Sequence, residues 1–95
     1  MFYIYHQNNS GGEFIRNDKV DICVIIEALS SESANIIAEK EVGIYFDGVK
    51  AGKDCPCCGD RWMRSNERLG KRTLKEHWYY SEETKIYPLN WHDLK

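Results

Sequence analysis

The chain contains no apolar run approaching the roughly 20 residues that a helix needs to cross a bilayer. Its first residues, Met1-Phe2-Tyr3-Ile4-Tyr5-His6, lack the charged start and long apolar stretch of a signal peptide. A soluble, cytoplasmic protein with no membrane partner is the expectation. There is no internal repeat, low-complexity segment or linker, so the 95 residues read as one domain, 1-95, with room for a modest core but not for a separate substrate domain. There is no strong excess of one charge either: a net charge of −2 argues against a general nucleic-acid binder. No Gly-Lys-Ser/Thr follows the glycines near the N-terminus, which excludes a P-loop, and no dinucleotide fingerprint occurs. The three histidines are scattered, no serine-nucleophile motif is present and the carboxylates show no distinctive pairing. Without a catalytic constellation the protein is expected not to be an enzyme.

What is present belongs to a folded protein: 42% hydrophobic, 13% aromatic and 29% charged residues. Residues 2–7 have strand character and run into the turn formers Asn8-Asn9-Ser10-Gly11-Gly12, after which Phe14 and Ile15 read as a second strand. Residues 20–28 form the clearest strand, with Val20, Ile22, Val24 and Ile26 facing a core. Ser30 or Ser31 caps a helix whose stripe is Ala34, Ile37, Ala38 and Val42, and Gly43 is placed to end it. Ile44-Tyr45-Phe46 reads as a short extended piece closed by Asp47-Gly48, and residues 77–80 and 85–87 read as late strands, with Pro88 favouring an edge. The fold class implied is α+β, a small mainly antiparallel sheet packed by one helix, with a cysteine knuckle.

That knuckle is Cys55-Pro56-Cys57-Cys58-Gly59, which holds three of the four cysteines. Cys55 and Cys58 stand at the C-x-x-C spacing that aims two thiolates at one metal ion, and a structural zinc is the cofactor such a turn would take. The remaining ligands would come from Cys57, Cys23, His6, His77 or His92, or from a second copy of the chain, because no second C-x-x-C exists. A thioredoxin-like redox motif competes, but Gly59-Asp60 follows at once where a long helix should open. A tight turn with free thiols is the plain alternative, and Cys23 reads as a packed strand residue.

The candidate ligand-binding residues are Asn8, Asn9, Ser10, Gly11, Gly12, Tyr45, Phe46, Arg61 and Trp62. The loop at 8–12 offers backbone N–H groups and glycine freedom suited to holding an anion. Arg61 would pair with phosphate, and Tyr45, Phe46 or Trp62 would stack on a base. Charge is unevenly placed: residues 61–77 carry six basic side chains (Arg61, Arg64, Arg68, Lys71, Arg72 and Lys75) against Glu67 and Glu76. That segment is a possible anion-facing patch or a solvated polar face.

The blocks Tyr5-His6-Gln7-Asn8-Asn9-Ser10-Gly11-Gly12, Gly43-Ile44-Tyr45-Phe46-Asp47-Gly48 and Asp54-Cys55-Pro56-Cys57-Cys58-Gly59-Asp60-Arg61-Trp62 resemble a family of small, largely uncharacterised bacteriophage proteins. The resemblance covers roughly residues 1–62. It implies a phage origin and a host-cell cytoplasm, and it transfers no catalytic or binding residue. The leading expectation is a non-enzymatic, homo-oligomeric phage protein that sequesters a small anionic, nucleotide-like host immune signal as a counter-defence factor. The alternative is a zinc-stapled interaction module that binds a host protein. The third is a single-stranded nucleic-acid binder working through residues 61–80, which the acidic overall balance disfavours.

Overall fold

The computed structural model describes residues 1–76 and 83–89. The sequence-predicted strand at 77–80, with Trp78, Tyr79 and Tyr80, and the candidate metal ligands His77 and His92 lie outside the described residues. The protein is α+β, built on a three-stranded sheet in the order β1-β2-β3, with β1 at Phe2–His6, β2 at Cys23–Glu27 and β3 at Thr84–Tyr87. The sheet is mixed. β1 runs antiparallel to β2, with Tyr3 opposite Ile26 and Tyr5 opposite Val24, whereas β3 runs parallel to β2, with Ile25 opposite Ile86. Parallel pairing requires a crossover connection. Here that connection runs from residue 28 to residue 83 and carries the helix, the knuckle and the basic segment.

β2 is the central strand, and its continuous apolar run Cys23-Val24-Ile25-Ile26 is buried throughout. Such a run is what a strand covered on both faces needs, where a half-buried strand would alternate. Val24 and Ile26 face a larger core with Tyr3, Tyr5, Ala34, Ala38, Val42, Ile44, Phe46 and Trp62. Ile25 and Cys23 face a smaller cluster with Ile4, against which Ile22, Leu74 and Ile86 pack. The single core face expected from the sequence is therefore corrected to two, and Ile22 belongs to the smaller cluster, because it precedes the regular pleat that begins at Cys23.

The helix α1, Ser31–Ile37, starts where the Ser30 hydroxyl accepts the Ser33 N–H at 3.1 Å, and its first turn holds Glu32. It continues as a wider π-helical turn through Ala38–Val42 and stops at Gly43, whose φ of 90° is left-handed. Its buried residues Ala34, Ala38 and Val42 lie on the larger core, and the Tyr5 hydroxyl donates to Asn35 Oδ1 at 2.7 Å, fixing helix to sheet.

Two short segments expected as extended strands are loops. Phe14 and Ile15 are exposed and join no ladder, because the backbone N–H and C=O of Ile15 are taken by the Gln7 side chain at 2.6 and 2.9 Å. Residues 44–46 leave the helix end and drive Ile44 and Phe46 into the core without pairing to a strand. The chain then turns at Asp47-Gly48, and the Gly48 carbonyl accepts the N–H groups of Lys53 and Asp54 at 2.8 and 3.0 Å.

Candidate functional site

Arg61 is the hub of the polar half of the molecule, and it is buried, with 8% of its surface exposed. Its Nη1 donates to Gln7 Oε1 at 2.8 Å and to the Glu13 carbonyl at 2.6 Å; Nη2 donates to the Ser10 carbonyl at 2.7 Å; Nε donates to the Tyr45 hydroxyl at 3.2 Å. Asp54, whose side chain is wholly buried, lies 3.8 Å from Nε, takes the Tyr45 hydroxyl proton at 2.7 Å and accepts the Arg61 backbone N–H at 2.9 Å. A buried guanidinium requires this much compensation. Burial, with the neighbouring Asp54 carboxylate adding to it, pushes the Tyr45 phenol above its ordinary value. Gly48 makes room for the arrangement, since a Cβ there would overlap the Asp54 carboxylate.

The expected phosphate contact by Arg61 is thus corrected: the guanidinium is buried and four of its five N–H donors are taken inside the protein. The loop at 8–12 does come together with Arg61, but as its partner. Asn8 Nδ2 donates to the carbonyls of Cys58 and Asp60 at 2.7 and 3.2 Å, and the buried Ser10 hydroxyl accepts the Cys55 N–H at 2.9 Å. Asn9 precedes a 3-10 turn, Ser10–Gly12, in which Gly11 and Gly12 are exposed with φ of 76° and 84°. Phe46 is also corrected as a stacking platform, because it is buried and the Arg64 guanidinium sits 5.0 Å over its ring. Arg64 is held in turn by Asp47 at 2.8 Å, and that hydrogen bond draws the Asp47 carboxyl below its ordinary range.

Two of the expected residues, Tyr45 and Trp62, line a cleft of about 460 Å³ together with Ile15, Asn17, Asp18, Lys19, Val20, Val42 and Gly43. This volume lies within the ordinary range of small-molecule sites. Trp62 is 2% exposed and lines the cleft with little of its surface. The opposite wall is shaped by Gln7. This fully buried side chain is held by Arg61 and grips the backbone of Ile15 and, at 3.2 Å, the Asp21 carbonyl, on either side of the lining residues Asn17, Asp18, Lys19 and Val20. The Asn17 carboxamide closes that turn by accepting the Lys19 and Val20 N–H groups at 2.8 and 3.0 Å, and the Tyr87 hydroxyl donates to the Lys19 carbonyl. Lys19 and Asp18 remain exposed on the rim.

Sequence reading missed Gln7 and the 15–20 wall. Asn17-Asp18 registered only as a turn, and the signal available was a polar Gln7 at the end of an apolar strand, where a buried amide needs partners of its own.

At the knuckle, the Cys58 and Gly59 N–H groups donate to the Cys55 carbonyl at 3.1 and 3.0 Å. Backbone N–H groups of Cys58 and Cys57 also reach the Cys55 thiol and hold it below its ordinary value. Cys57 and Cys58 are exposed, whereas Cys23 is buried in the sheet, and burial raises its thiol. Among the described residues no group of three or more His, Cys, Asp or Glu side chains is placed to hold a metal ion. Nor does any described helix have the length and apolarity to cross a membrane.

A small α+β domain with a mixed sheet, a buried arginine clasp and a cleft lined by Tyr45 and Trp62 is the class that fold and site define. The chain belongs to the family described as a domain of unknown function (DUF7296), whose model matches residues 1–90. Comparison with curated proteins and with solved structures gave no match.

Proposed function

We propose that the protein is a non-enzymatic binder of a small nucleotide-like ligand of low charge, seated in the cleft floored by Trp62. The observation that carries this reading is a cleft of about 460 Å³ whose lining joins the aromatic residues Tyr45 and Trp62 to the charged Asp18 and Lys19. The half-buried ring of Tyr45 suits a base, and the Trp62 indole N–H would suit a carbonyl or phosphate oxygen. On the rim, Lys19 supplies one cation for a phosphate and Asp18 an acceptor for a sugar hydroxyl. With Asp18 beside it and the carbonyl end of the helix at Gly43 also in the wall, the cleft suits one phosphate charge and disfavours a polyphosphate. In a phage protein within a host cell, such a site would sequester a nucleotide-derived immune signal, which is the role we assign.

Calorimetry and thermal-shift measurements with cyclic mononucleotides, nucleoside monophosphates and ADP-ribose, with ATP and inorganic phosphate as comparators, test the reading. Trp62→Phe keeps the ring but removes the donor, and a lost hydrogen bond of about 0.5–1.5 kcal/mol corresponds to a roughly 2- to 10-fold loss of affinity. No binding across the panel, or binding that Trp62→Phe and Lys19→Gln leave unchanged, would overturn it.

A further inference from the structure

We infer that Cys55 and Cys58 form half of a zinc site, completed by the same two cysteines of a second copy of the chain. The inference is independent of the cleft and rests on the geometry of the knuckle. Residues 55–59 form a closed turn in which the Cys55 carbonyl accepts two N–H groups, at 3.1 and 3.0 Å, so the backbones of the two ligand-bearing residues lie one tight turn apart.

The turn is also anchored before any metal arrives. Asn8 Nδ2 holds the Cys58 carbonyl at 2.7 Å and the Ser10 hydroxyl holds the Cys55 N–H at 2.9 Å, so the knuckle is fastened to the loop that Arg61 clasps. Fixing the ligands in advance lowers the ordering cost of binding.

The stoichiometry follows from counting donors. Structural zinc takes four ligands in a tetrahedron. The described residues of one chain present no group of three. Cys58 is exposed, as is the adjacent Cys57, so a second knuckle can approach. A two-fold axis through the metal repeats the same two cysteines and supplies all four thiolates, each thiol releasing its proton to solvent on binding. Zinc, thiophilic and free of redox chemistry, is the metal such a set selects in a reducing cell. The zinc would make the dimer and leave each cleft to its own chain.

The test is elemental analysis with native mass spectrometry and sedimentation on the full chain purified under reducing conditions. We expect one zinc per two chains, a dimer that a chelator splits into monomers, and recovery of the dimer on adding zinc. Cobalt substitution should give the visible spectrum of a tetrahedral tetrathiolate site. C55S/C58S should be a metal-free monomer, while C57S, H77A and H92A keep both metal and dimer. Because Cys58 is exposed and Cys55 is not in the core, the double variant should still fold, and chelation of the unaltered protein gives the same reading without any substitution. Metal-free protein would overturn the inference. So would one zinc per monomer, or loss of zinc in H77A or H92A.

Discussion

Arg61 shows how far a residue's environment can reverse its apparent role. In the sequence, an arginine between an aspartate and a tryptophan looks like a phosphate clamp; in the fold, its guanidinium ties Gln7, Ser10, Glu13 and Tyr45 together over the Asp54 carboxylate. Removing one partner of a buried pair strands the other, at a cost of roughly 3–5 kcal/mol. Arg61→Ala should therefore lower stability in a denaturant titration by about that much. Arg61→Lys should not rescue it, since an ammonium cannot span partners arranged around a planar fork. A change below about 0.5 kcal/mol, the range of an ordinary surface substitution, would mean the clasp contributes nothing. Of the residues expected at a ligand, Tyr45 and Trp62 line the cleft, whereas Phe46 packs into the core and Arg61 bonds inside the protein. The Arg61 environment was not legible because its partners lie far along the chain: Gln7 is 54 positions away.

At the scale of elements, the helix was legible because its signals are local. Ser30 caps it, Ala34, Ala38 and Val42 keep the helical spacing, and Gly43 ends it. The parallel β2–β3 pairing was not legible, because residues 24 and 85 are joined only through the long crossover. One contact in particular holds that crossover to the rest. Glu67 accepts the Ser31 N–H at the start of the helix at 2.7 Å and the Tyr3 hydroxyl of β1 at 2.9 Å. The Ser31 N–H, with Tyr3 next, draws the Glu67 carboxyl below the ordinary value of 4.5, while burial, with Glu67 adding to it, pushes the Tyr3 phenol up to about 12. A carboxyl whose value is depressed in the folded state adds stability that is fully present above its unfolded value and is lost as pH falls through the folded one. Stability should accordingly fall on acidification below about 4.5, and Glu67→Gln should flatten that part of the pH profile. Superimposable acid limbs for the two proteins would show that the Glu67 contact is not what holds the crossover.

Over the whole molecule, the polar and apolar halves serve one another. The larger core includes Trp62, which lines the cleft, and the Arg61 clasp works through Gln7 to hold Ile15, another of its lining residues. The knuckle is fastened to the same clasp through Asn8 and Ser10. The most informative experiment is to follow the indole N–H resonance of Trp62, assigned by its loss in Trp62→Phe, while a cyclic mononucleotide or ADP-ribose is titrated into the protein. We expect this resonance to move saturably, together with backbone signals of residues 15–20 and 42–45, while those of residues 8–12 stay in place. A ligand that instead shifts residues 8–12 and leaves the Trp62 indole still, or a panel of nucleotides that moves neither, would contradict the assignment of the cleft as the binding site.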